Sequence, residues 1–135
     1  MSPIKIDHIA IAVTDMDEAL RFWRDGLGLN FGGVDEVPAE ESEIAFLETA
    51  NAHIELVRPT TDDSGIAGYI AKKGTGIHHL CLAVEDIKTT MKHLADSGFE
   101  LINEAPRTRD NGTRYAFIHP KSTGGVLVEL YEAVK

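Results

Sequence analysis

Long apolar runs, a second cysteine and an excess of basic charge are all missing from this 135-residue chain. No apolar stretch approaches the roughly 20 residues that a membrane helix needs. The opening MSPIKIDHIAIAVTD lacks the basic-then-apolar pattern of a secretory signal. The single cysteine, Cys81, excludes an intramolecular disulfide scaffold and suits a reducing compartment, so a cytoplasmic location is expected. With 13 basic against 22 acidic residues the net charge is −9. Nucleic acid and anionic membrane both demand a basic footprint, so neither is expected as a partner. A small anionic ligand held by a few local cations is compatible with this balance. Asn111-Gly112-Thr113 has the form of a glycosylation sequon, but without a secretory signal it reads as a turn. The acid-rich stretch over 35–43 reads as a solvated loop.

What is present is enough for one packed domain over residues 1–135, with 43% hydrophobic and 26% charged residues. The chain also repeats itself. Ile6-Asp7-His8-Ile9-Ala10-Ile11-Ala12-Val13 lies above Ile77-His78-His79-Leu80-Cys81-Leu82-Ala83-Val84, and His8 falls on His79. Thr14-Asp15-Met16 falls on Glu85-Asp86-Ile87, and each strand then leads into a helix closing at Gly28-Leu29 or Gly98-Phe99. Near the end of each half, His53-Ile54-Glu55-Leu56-Val57 matches Leu127-Val128-Glu129-Leu130-Tyr131, so Glu55 falls on Glu129.

Local signals fill in the elements. Residues 6–13 and 77–84 are short, β-branched and apolar, as buried strands are. Asp15 or Thr14 caps the first helix, Met16, Leu20 and either Phe22 or Trp23 form its apolar face, and Gly26 and Gly28 stop it. Strands follow near 30–37, 43–48 and 52–58. The second half gives a helix at about 86–97 and strands near 99–104, 113–118 and 126–131, and Ser64 opens a connecting helix ending at Gly74. The expected fold is α+β: two tandem β-α-β-β-β modules, about 4–60 and 75–133 with a connector at about 61–74, forming a cupped mixed sheet around a metal site.

The metal expectation comes from the matched residues. Glu55 and Glu129 both sit between aliphatics, and a buried carboxylate is costly unless paired or bound to a cation. If the modules face each other through a pseudo-twofold axis, His8, Glu55, His79 and Glu129 converge on one cleft. Two imidazoles and two carboxylates make a mixed N/O set for a divalent transition metal. Of the other histidines, His78 points to the opposite face from His79, His93 lies on a helix surface and His119 precedes Pro120 in a turn. His53 shares a face with Glu55 and is a candidate to reach the cleft.

Three blocks carry a family resemblance over nearly the whole chain: Asp7-His8-Ile9-Ala10-Ile11-Ala12-Val13; Asp63-Ser64-Gly65-Ile66-Ala67 with Gly76-Ile77-His78-His79; and the run from Phe117 to Leu130, containing His119-Pro120-Lys121-Ser122-Thr123-Gly124-Gly125. The chain resembles the vicinal oxygen chelate (glyoxalase/bleomycin resistance/dioxygenase) superfamily, and within it the methylmalonyl-CoA epimerases. The resemblance implies four metal ligands at His8, Glu55, His79 and Glu129, with cobalt ahead of manganese, nickel or zinc. It implies epimerisation of an acyl-CoA at C2, on the route between propionyl-CoA and succinyl-CoA, by a homodimer. Such a reaction needs proton removal on one face of C2 and delivery on the other, and Glu129 is the family's candidate for one of these bases.

The sequence departs from that pattern in one place. Several relatives carry a second glutamate in the third strand of the first module, and here Ile44 occupies the position, with Glu43 one residue before it. A one-residue shift turns a strand side chain to the other face, so Glu43 serves as a base only if a bulge brings it inward; Glu48 and His53 are reserves. Lys72, Lys73, Arg107, Arg109, Arg114 and Lys121 are the cations available for the phosphates of coenzyme A. The loop from Arg107 to Thr113 reads as a mobile hairpin able to cover a cleft. The competing readings are a glyoxalase I-like lactoylglutathione lyase, a ring-cleaving iron dioxygenase, a thiol transferase acting on an antibiotic, and a metal-free module that sequesters a small molecule.

Overall fold

The computed structural model describes residues 3–134. Met1, Ser2 and Lys135, the ends of the expected domain, lie outside the described residues. His8–His78 form one compact unit, and His79 onward with the segment preceding His8 forms the other.

In the unit His8–His78, the strands run in the order β2 (Asn30–Val37), β3 (Ser42–Glu48), β4 (His53–Pro59) and β1 (Lys5–Ala12). Neighbours are antiparallel except β1 and β4, which are parallel. Helix α1 (Met16–Leu20) opens on Asp15, whose side chain accepts from the Glu18 backbone N–H at 3.0 Å. It packs Met16 and Leu20 onto Val13, Ala45, Leu47 and Leu56. The expected single helix instead loosens into a π turn over Arg21–Gly26, closed by the Leu27 N–H on the Phe22 carbonyl at 2.8 Å. Of the two aromatic candidates, Trp23 packs against the core, at i+7 from Met16, and Phe22 stands exposed. Helix α2 (Gly65–Lys73) starts at Ser64 and stops at Gly74, as the sequence implies.

The other unit repeats this plan. Its strands run β6 (Arg107–Thr108), β7 (Arg114–Ile118), β8 (Val128–Glu132) and β5 (Gly76–Ala83), again antiparallel except for the parallel pair β5 and β8. Helix α3 (Ile87–Asp96) is capped by Asp86 and buries Ile87 and Met91 against Ala116, Ile118, Val128 and Leu130. Ile87 and Met91 thus repeat Met16 and Leu20. Both helical segments give way to a glycine in the left-handed region, Gly28 at φ 74° and Gly98 at φ 90°. The α+β class and the β-α-β-β-β order of each module stand as expected.

Two elements differ from expectation. The strand placed near 99–104 reduces to one bridge between Leu101 and Ile118, because the Asn103 side chain accepts the Phe117 N–H at 2.8 Å, and Pro106 has no N–H to offer. The acid-rich stretch is not a loose loop but the tip of the β2–β3 hairpin, turning through Pro38–Glu40 and Glu41 at φ 51°. Its carboxylates stay outside because β2 is largely exposed. Among the described residues no helix is long and apolar enough to cross a membrane.

Candidate metal and proton-transfer site

Parallel pairing sets His8 opposite His53 and Ala10 opposite Glu55. Alternation then places His8, His53 and Glu55 on the face of the strands turned away from α1, whose core takes Ile54 and Leu56 instead. On that face His8 Nδ1 lies 3.0 Å from Glu55 Oε2, and His53 Nε2 lies 3.2 Å from the same oxygen. The two imidazoles stack with centroids 5.3 Å apart. His8 is buried, Glu55 nearly so, and His53 is one-third exposed.

The second unit builds the same pair independently. Cys81 stands opposite Glu129 in the β5–β8 ladder, the position that Ala10 and Glu55 occupy in the first. His79 precedes Cys81 by two residues, as His8 precedes Ala10, and His79 Nε2 lies 3.0 Å from Glu129 Oε1. One histidine and one glutamate at matching ladder positions, 3.0 Å apart, therefore occur twice. In the second copy Arg109 Nη2 donates to Glu129 Oε2 at 2.9 Å, and its guanidinium lies 3.8 Å over the Tyr115 ring. Burial pushes the Glu129 carboxyl up, but the bond and charge of His79 and the charge of Arg109 outweigh it and hold the group below its ordinary value. Tyr131, on the same face two residues on, is raised by burial and by the charge of Asp7.

Arg109, expected only among the cations for coenzyme A phosphates, is instead bonded to Glu129, a contact the sequence pattern does not announce. A chemical signal was available: a glutamate 2% exposed needs more counter-charge than one imidazole supplies, and the neighbouring hairpin carries the nearest arginines. That hairpin is closed by the Arg109 N–H on Thr113 at 2.8 Å and by Asn111, which accepts the Thr113 N–H and hydroxyl. The hairpin is closed on itself by these bonds, and through Arg109 it reaches Glu129. Asn111-Gly112-Thr113 does form the turn that was expected of it, with Gly112 at φ 87°.

The bulge required to turn Glu43 inward is absent. The β3–β4 register runs unbroken from Ser42 opposite Pro59 to Glu48 opposite His53. Glu43 consequently shares its face with Ala45 and Leu47 on the α1 side, and its carboxylate accepts from Arg58 Nε and Nη2 at 3.2 and 3.3 Å. The pairing of Glu43 with the Glu55 face is corrected on that ground. Ile44, Phe46 and Glu48 hold the Glu55 face, with Glu48 directly opposite His53. The remaining histidines follow expectation: His78 packs edge-on against Tyr69, His93 is exposed, and His119 accepts the Lys121 N–H in a turn.

The donor chemistry fits a divalent ion. Donors about 2.1 Å from one ion, in adjacent octahedral positions, lie about 3.0 Å from each other. Each His–Glu pair has that spacing and is held with its nitrogen and oxygen converging.

Residues 7–117 match the model of the Glyoxalase/Bleomycin resistance protein/Dioxygenase superfamily, and the chain belongs to that superfamily. A Bacillus subtilis protein described as uncharacterised is 37% identical over 95% of this chain and 91% of its own. The ethylmalonyl-CoA/methylmalonyl-CoA epimerase of Cereibacter sphaeroides is 35% identical over 93% of this chain and 96% of its own. The solved structure of a Streptomyces coelicolor methylmalonyl-CoA epimerase variant, in complex with 2-nitronate-propionyl-CoA, is 30% identical. It superposes with a TM-score of 0.87 over 99% of this chain and all of that one. Within the superfamily the chain stands in the methylmalonyl-CoA epimerase family, enzymes of the isomerase class.

Proposed function

We propose that this protein interconverts the two C2 epimers of methylmalonyl-CoA by moving one proton off C2 and another onto it. The observation that carries the reading is the doubled His–Glu pair, at equivalent ladder positions in both modules and with the same 3.0 Å separation. His8, Glu55, His79 and Glu129 are the proposed ligands of one divalent ion, cobalt first, then manganese, nickel or zinc. When bound, the ion supplies Lewis acidity that offsets charge developing on the substrate's oxygens as C2 loses its proton.

The chain's own groups move the proton. Glu129 is ionised because His79 and Arg109 hold its carboxyl low, so it is ready to accept the C2 proton. Arg109 fixes Oε2 of Glu129, which limits the geometry from which the carboxylate acts, while Oε1 is the oxygen beside His79 on the side of the proposed ion. Glu48, which shares the Glu55 face where Glu43 does not, is the proposed second acid–base group: its carboxyl takes a proton from solvent and gives it to C2 on the other side from Glu129. Of the six cations considered for coenzyme A, Arg109, Arg114 and Lys121 pair with Glu129, Glu132 and Glu100. Lys72 and Lys73 in the last turn of α2, and Arg107 on β6, are the proposed phosphate partners. The family resemblance adds a homodimer serving propionate metabolism, and the lone cysteine supports a cytoplasmic location.

The test is proton exchange at C2. Metal-replete protein is incubated with methylmalonyl-CoA in deuterated water, and the C2 proton signal is followed by NMR beside an EDTA-treated control. Rapid metal-dependent loss of that signal is expected, and His79→Ala should abolish both it and stoichiometric metal while leaving the circular dichroism intact. No exchange above the control, from folded protein carrying metal, would overturn the substrate; glutathione hemithioacetals would then be the next substrate to try.

A further inference from the structure

We propose that His53 is a further ligand of the divalent ion, so that this chain offers three imidazoles and two carboxylates where the sequence repeat supplies two of each. The inference rests on the metal reading above and adds a residue that the repeat does not predict, since His53 falls on Leu127 in the second module.

The contact that joins His8 to Glu55 also joins His53 to it. Both imidazoles converge on one oxygen, Glu55 Oε2, with Nδ1 of His8 at 3.0 Å and Nε2 of His53 at 3.2 Å. Those separations match the roughly 3.0 Å edge between adjacent donors around an ion at about 2.1 Å. These three donor atoms, together with a carboxylate oxygen of Asp7, lie within 4.8 Å of one another, inside the span of one coordination sphere. Parallel pairing of β1 and β4 sets His53 level with His8, and their rings stack at an interplanar angle of 25°, so the two imidazoles present their edges to the same side. The exposures order the three: His8 at 9% and Glu55 at 12% are the inner donors, and His53 at 34% is the outer one. Imidazole is a good donor for cobalt, nickel and zinc, and a third nitrogen shifts the preference of the set toward these and away from manganese.

The experiment uses the full chain, stripped with a chelator and reloaded with Co²⁺. The first reading is stoichiometry. Failure of the wild type to bind one Co²⁺ would overturn the metal reading itself and this inference with it. Where one ion binds, proton NMR in light water counts hyperfine-shifted, exchangeable imidazole N–H resonances, one per ligating ring. Three are expected in the wild type, for His8, His53 and His79, and two in His53→Gln. Two in the wild type would overturn the inference while leaving the four-ligand site in place. Affinity supplies a second reading: competition with a chelating dye should show Co²⁺ bound at least tenfold more weakly by His53→Gln and by His53→Ala. The visible absorption of Co²⁺ should shift in both variants. Unchanged affinity and an unchanged spectrum would also overturn it. The resonance count separates a ligand from a histidine that only steadies Glu55, because such a histidine carries no strongly shifted N–H.

Discussion

Arg109→Ala tests how the buried Glu129 charge is held. Glu129 is 2% exposed and keeps two side-chain partners, the His79 imidazole at 3.0 Å and the Arg109 guanidinium at 2.9 Å, the latter 31% exposed. Breaking a fully buried ion pair costs about 3–5 kcal/mol and an exposed one about 0–1 kcal/mol. With Arg109 a third in water, and His79 still in place, the loss falls between these limits, at about 2 kcal/mol. Contact of the guanidinium with Tyr115 contributes about 0.5–1 kcal/mol of that. The assay is urea unfolding of metal-free protein at neutral pH, in a cycle with Glu129→Gln, where a coupling of about 1–2 kcal/mol is expected. The pH dependence has a definite sign. Because Glu129 is held below its ordinary value of 4.5, the stability from this pair is fully present above that pH. It is lost as pH falls through the lowered folded value, so the gap between wild type and Arg109→Ala should close in acid. A gap under about 0.5 kcal/mol, or one unchanged by acid, would refute the reasoning.

Glu132→Ala should cost about 2–4 kcal/mol, because the buried Glu132 carboxylate accepts the Ile87 N–H at the start of α3 at 2.7 Å and pairs with Arg114 at 2.8 Å. Urea unfolding measures this, and a loss below about 0.5 kcal/mol would show that water replaces both partners. Glu43→Gln should leave C2 exchange unchanged and cost under about 1 kcal/mol, since its half-exposed pair with Arg58 lies on the α1 side of β3. A tenfold fall in exchange would return Glu43 to the reaction.

The repeat made most of this fold legible. Element order, caps and both helix cores follow from matching Met16 and Leu20 with Ile87 and Met91, and Asp15 with Asp86, because each module solves the same burial problem with the same periodicity. What eluded sequence was where local geometry departs from the repeat. A π turn follows Leu20, and the Asn103 side chain replaces a strand bond; neither alters hydrophobic period. The His–Glu pairs were legible because strand alternation alone fixes their face. Arg109 was not, because a hairpin arginine has no period and its destination is set by the charge that most needs it. The same distinction explains Glu43. A carboxylate one residue out of phase reaches the Glu55 face only through a bulge, and a neighbouring arginine in register on the other face removes any drive to form one. Arg58, standing opposite Glu43 in the β3–β4 ladder, thus settles on which side of the strand that charge is neutralised, and it leaves Glu48, opposite His53, as the β3 carboxylate on the face that carries Glu55.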